Sequence, residues 1–127
     1  ALAELFTTST SVGVDYTVGT GGVSKGAVCF ISGNNTILPY STLTDSHRGI
    51  GLALTTEAAA GTVTVMQNDK VLSGVIGSAT AGTPYYWDGS TLVTSIPSTT
   101  GAYVWQAGVA KNATDLAVEV RLVKKNA

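Results

Sequence analysis

No stretch of this 127-residue chain repeats its apolar side chains every 3.6 residues for three turns, so an amphipathic helix has no place to form. What recurs from Val12 onward is alternation, in short runs that end at Gly, Asn or Asp. A period of two sends successive side chains to opposite faces of a strand, so the chain is predicted to be all-β. The clearest strand is residues 115–123, with Leu116, Val118, Val120 and Leu122 on one face and Ala117, Glu119, Arg121 and Val123 on the other. Before it, Tyr103, Trp105, Ala107 and Val109 alternate with Ala102, Val104, Gln106 and Gly108. The connection KNATD, residues 111–115, makes the two a C-terminal hairpin, and Gly108 marks a bulge or a close backbone approach.

Further strand candidates are residues 12–18, 26–31, 36–40, 48–55, 62–67, 71–77, 83–87 and 91–95. Gly-, Asn- and Asp-bearing turns separate them, and Asp88-Gly89 is a two-residue hairpin signal. Residues 57–61, EAAAG, favour helix by propensity, but five residues cannot sustain one and Gly61 ends the run. About nine short, mostly antiparallel strands at spacings of roughly 8 to 12 residues point to a small β-barrel or β-sandwich. The Gly and Ala content favours the sharp corners of a barrel. Residues 1–11, ALAELFTTSTS, read as an extended N-terminal arm, and residues 12–127 as a single β domain.

The chain is poor in groups that do chemistry. It carries 19 threonines and 15 glycines, while charged residues make up 12%, about half the usual share of roughly 25%. A net charge of −1 gives little attraction for polyanions, so no nucleic-acid partner is expected; Lys124-Lys125 reads as a solvated C-terminal pair. A polar, nearly neutral surface tolerates close packing against other protein, and self-association is expected. Cys29 stands alone in the apolar run AVCFI, which excludes an intrachain disulfide and predicts a small buried side chain. No apolar run reaches the 18 or so residues that a membrane-spanning helix needs, and no secretory leader is recognisable.

Catalytic constellations are equally scarce. His47 is the one histidine, which rules out a two-histidine zinc site within the chain. Asp45 could orient its ring, yet no G-x-S-x-G elbow supplies a nucleophile. The carboxylates fall mostly in turns, where Asp bonds neighbouring backbone. GTGG at residues 19–22 lacks the spacing of a phosphate-binding loop. No catalytic residue, metal or cofactor is assigned, and the chain is not expected to be an enzyme. The aromatic residues Tyr85, Tyr86, Trp87, Tyr103 and Trp105 are the candidate packing or interface side chains, joined by Leu5 and Phe6 of the arm. Adjacent residues of one strand point to opposite faces, so the Tyr85–Trp87 run puts aromatic bulk on both. One face should enter the core; the other could meet a second subunit or stack a sugar.

Several of these pieces occur together in a known module. Gly51, Ala60-Gly61, the V-x-V of Val63 and Val65, G-x-x-Y-Y at residues 82–86 and Asp88-Gly89 come first. Leu-x-Thr at residues 92–94, the link at residues 97–101 and the run from Gly108 to Val120 complete it. Over about residues 47–123 the chain resembles the head decoration (capsid cement) and head-fibre proteins of tailed bacteriophages. That resemblance implies a structural virion protein on the outer capsid surface, with the major capsid protein as partner. It also implies a symmetric oligomer, often a trimer, without cofactor or turnover. A fibre- or tail-associated module, or a carbohydrate-binding β module, is the alternative reading. The arm would be a natural strap onto another chain.

Overall fold

The structure, a computed structural model, describes residues 13–66 and 68–127; the arm at residues 1–11 lies outside the described residues. Ten strands are present and, among the described residues, no helix. Strands β1 (Gly13–Val18), β2 (Val28–Gly33), β3 (Thr36–Pro39), β4 (Gly51–Ala53) and β5 (Thr62–Met66) close into a barrel in the order β1-β3-β2-β4-β5. Strands β6 (Val71–Leu72), β7 (Pro84–Trp87), β8 (Leu92–Val93), β9 (Tyr103–Ala110) and β10 (Leu116–Lys125) form an open sheet in the order β6-β10-β9-β7-β8. Every pairing is antiparallel except β1 with β3, where Thr17 meets Thr36 and Val18 meets Ile37. The expected choice between barrel and sandwich thus resolves as a closed barrel joined to a second, open sheet.

Local chemistry explains the barrel. In β5 the Thr-Val alternation buries Val63 and Val65 while Thr62 faces solvent. Glycine lets the strands approach where they curve most tightly: a Cβ on Gly51 would lie 2.2 Å from the Met66 carbonyl oxygen. Strands β2 and β4 break the alternation, since Val28, Cys29 and Phe30 are all buried, as are Gly51, Leu52 and Ala53. Their inner faces fill the barrel and their outer faces lie under the sheet, with β4 against β10.

The sheet departs further from simple alternation. The C-terminal hairpin forms as expected, pairing Ala110 with Leu116, and a Cβ on Gly108 would sit 2.2 Å from the Ala117 carbonyl oxygen. Leu116 and Val118 enter the core, but Leu122, expected on that same face, is 47% exposed. The cause is the register shift between Val118 and Arg121, which changes which face the later residues take; a second shift follows between Leu122 and Lys124. The strand runs on through Lys124 and Lys125, so that pair belongs to the sheet and not to a tail. Three other candidates shrink: residues 48–55 to three, and residues 71–77 and 91–95 to two each. In the second case the chain turns at Gly74, and the amides of Val75 and Ile76 both donate to the Thr114 carbonyl instead. Segment 57–61 is a loop, as expected, with Ala60 at φ 70°.

One core serves both halves. Ile37, Leu52 and Val65 of the barrel and Leu72, Trp87, Trp105 and Leu116 of the sheet belong to a single buried cluster. Each fully buried aliphatic side chain of this kind contributes about 1.5–3 kcal/mol.

Candidate interface at the barrel–sheet seam

The aromatic side chains meet between the two halves, and Tyr40, just past the end of β3, is their hub. Its ring is 99% buried and lies 4.8 Å from Phe30 and 5.7 Å from Trp105, centroid to centroid, the latter pair stacked at 23°. Its backbone carbonyl accepts a 2.8 Å hydrogen bond from Trp87 Nε1, and its hydroxyl donates to the His47 carbonyl. Trp87 and Trp105 are direct cross-strand partners on β7 and β9. The sequence singled out Trp105, Tyr103 and the Tyr85–Trp87 run as packing or interface candidates, and the structure pairs Trp105 with Trp87. The sequence did not single out Tyr40 or Phe30, because nothing in strand periodicity tells which barrel residue a distant sheet will cover.

The other candidates divide by burial. Tyr85, Trp87 and Trp105 are packing residues of the seam. Tyr86 is half-buried opposite Val93 and Gln106, and Tyr103 is half-buried with Lys125 Nζ 5.3 Å from its ring centre. Leu5 and Phe6 lie outside the described residues. Trp105 Nε1 is buried without a hydrogen-bond partner among the described residues.

The polar groups are engaged in shaping loops. Asp45 accepts from the His47 amide at 2.9 Å and contacts its Nδ1, while the His47 ring stacks on Phe30 at 4.6 Å. Slight burial opposes the Asp45 charge, but these His47 contacts outweigh it and hold the carboxyl below its usual range. Burial, reinforced by the Asp45 charge, pushes the Tyr40 phenol above its ordinary value. Burial likewise pushes the Cys29 thiol up to about 12, leaving almost no thiolate at neutral pH. Asp88 closes the β7–β8 turn by accepting from the amides of Ser90 and Thr91 at 2.8 and 2.7 Å. Asp115 accepts from Asn112, Gly74 and Thr114 at the β9–β10 turn. The remaining described carboxylates include Asp15, bonded to Thr64, and Glu57, bonded to Thr55. Among the described residues, no three His, Cys, Asp or Glu side chains gather as a metal site would need.

What the seam does present is a surface. A groove of about 440 Å³ runs between the loop carrying Arg48 and strand β10, with Tyr103, Val120, Arg121 and Leu122 along it. Its floor is tight: a Cβ on Gly49 would come within 3.3 Å of both Trp105 and Val120. Arg48, Gly49 and Val120 also border a second hollow of about 350 Å³, reached by Val14, Tyr16 and Asn68. Val14 and Leu122 are about half exposed, at 49% and 47%.

The adjacent edge of β10 is open as well. On that side β6 covers only Leu116 and Ala117, Lys70 takes the Val118 amide, and Asn68 Oδ1 takes the Val120 amide at 2.8 Å. Beyond that point, among the described residues, residues 121–125 pair with β9 alone. Arg48, Arg121, Leu122 and Val14 were not legible as a site, because the register shifts in β10 leave no mark on the sequence pattern. A scan against protein-family models gives no match for this chain, and a search of curated proteins gives no significant relative.

Proposed function

We propose that this protein is a structural virion component that binds the outer surface of a tailed-bacteriophage capsid and stabilises it, acting as a symmetric oligomer, most simply a trimer. The observation that carries the reading is the seam surface: a groove with apolar walls, half-exposed Val14 and Leu122, and a strand edge unpaired among the described residues, on an otherwise weakly charged β module. Such surfaces suit protein partners. The turn carboxylates Asp88 and Asp115 serve the fold, their oxygens taken up by neighbouring amides and side chains. The resemblance over about residues 47–123 supplies the partner, the major capsid protein. Trp87 and Trp105 are both buried, so a carbohydrate-binding module would have to rely on the half-buried Tyr86 and Tyr103; the capsid reading is the one advanced. The test mixes purified protein with expanded capsids that lack it, then measures co-sedimentation and the temperature at which the capsids release their contents. Saturable binding with a raised release temperature is the expected result. No binding and no gain in heat resistance would sink the proposal.

A further inference from the structure

We infer that the groove at the seam is filled by residues 2–6 of a neighbouring copy of this chain, so that each subunit hands its N-terminal segment to the next. The inference rests on the self-association in the reading above and names the surface that carries it.

Three observations converge on this occupant. The groove is apolar along Tyr103, Val120 and Leu122, yet it is flanked by two guanidinium groups, Arg48 and Arg121. Arg121 donates to Gln106 Oε1 at 3.2 Å, but its one carboxylate contact among the described residues is a long, exposed one to Glu119 at 3.7 Å, and among those residues Arg48 has no ion-pair partner. A matching segment is therefore apolar with a single negative charge. Residues 2–6 have that composition: Leu2, Leu5 and Phe6 around Glu4, the one charged side chain before Asp15.

Position is the second argument. The described chain begins at Gly13, paired with Met66, and the next residue, Val14, borders the hollow that shares Arg48, Gly49 and Val120 with the groove. The described chain thus starts at the end of this surface. Spacing is the third. Residues 7–12, TTSTSV, carry no large aromatic or charged group and span up to about 20 Å when extended, enough to carry residues 2–6 off their own barrel. An extended segment beside β10 also finds backbone partners along the open edge at residues 121–125.

The test uses two full-length variants. One, L5D/F6D, spoils the segment and keeps the groove; the other, R48E/L122E, spoils the groove and keeps the segment. Sedimentation velocity on the wild type should show self-association, and each variant alone should weaken it at least tenfold, the loss expected when a central apolar anchor is removed. Mixing the two variants should then give a one-to-one complex, because one intact segment meets one intact groove. Circular dichroism and thermal melting check the folds, and L122T replaces L122E if the latter shifts the melt.

Variants that associate as the wild type does would overturn the inference and leave the proposed function standing. Variants that lose self-association but form no mixed complex would overturn docking between copies in favour of docking within one chain. Loss of capsid binding with self-association intact would assign the groove to the capsid protein instead, and overturn it too. A wild type that stays monomeric at every concentration would remove the self-association on which both readings depend.

Discussion

Residues 13–66 close their strands into a ring, whereas residues 71–125 leave theirs open and finish at two edge strands of two residues each, β6 and β8. The ring satisfies its own backbone, and its tight points are held by glycines that allow neighbouring carbonyls to approach. The sheet depends on what lies against it: the barrel on one side and, along β10, nothing among the described residues beyond Val120. Very short edges are one way to limit unwanted strand pairing, and Lys124 and Lys125 on the longer exposed edge are another. The turns differ too. The barrel's β2–β3 turn and β4–β5 loop bend at Asn35 and Ala60, both at positive φ, while the sheet's β7–β8 and β9–β10 turns are closed by Asp88 and Asp115, as the Asp45 loop beside the barrel also is. A chain can thus pair a half that is complete in itself with one built to meet a neighbour.

The largest expected effect comes from breaking the joint between them. Trp87→Ala removes a buried indole and its bond to the Tyr40 carbonyl, and should cost about 3–5 kcal/mol by denaturant titration. Because one core spans both halves, near- and far-ultraviolet dichroism should be lost in a single transition; two transitions would show that barrel and sheet unfold separately.

Next comes the ring itself. Gly51→Ala drives a methyl into the Met66 carbonyl and should cost on the order of 2–3 kcal/mol, whereas Gly33→Ala, with open space around it, should change stability by less than about 0.5 kcal/mol. Equal costs at the two positions would remove close strand approach as the explanation. Tyr40→Phe keeps the ring in the seam and loses only the bond to the His47 carbonyl, so a loss of about 1 kcal/mol is expected from thermal melts.

The subtlest contrast is in acid. Asp88 and Asp115 are both held below the ordinary carboxyl value of 3.8. For Asp88, slight burial works the other way, but the amides of Thr91 and Ser90 outweigh it; for Asp115 the bond from Asn112 leads. A folded-state value below the unfolded one means that the stabilisation is present above about pH 4 and is lost as the pH falls through the folded value. Amide exchange, corrected for its intrinsic pH dependence, should therefore rise first in the β7–β8 and β9–β10 turns on acidification, before β5 responds. The Asp45 loop, whose carboxyl is also held low, should loosen with them; simultaneous loosening of β5 would contradict the difference drawn between the turns.

Much of this division was legible in the chain, but unevenly. Thr-Val alternation located β5 to within a residue or so, and KNATD marked the last hairpin because Asn112 accepts from the local amides of Thr114 and Asp115. The continuous apolar runs at residues 27–31 and 50–54 also carried information, since a strand buried on both faces has no polar side to alternate with. The groove was not legible. It depends on two register shifts in β10, on a glycine at position 49 that lets Trp105 and Val120 close in, and on Tyr40 being covered from a strand more than forty residues away. Each is set by tertiary packing, and none leaves a periodic trace.

The order of the halves along the chain has a further consequence, for synthesis. The last strand of the barrel ends at Met66, before any strand of the sheet begins, so all barrel strands are translated before the sheet that covers them. Until Trp87 and Trp105 follow, Tyr40 and Phe30 have no indole to lie beneath. At about 5–20 residues per second the interval from Met66 to Trp105 lasts roughly 2–8 seconds. During it the nascent chain carries Tyr40 and Phe30 without the side chains that later cover them. A ribosome-associated chaperone, or the barrel of a neighbouring nascent chain, would meet them there first.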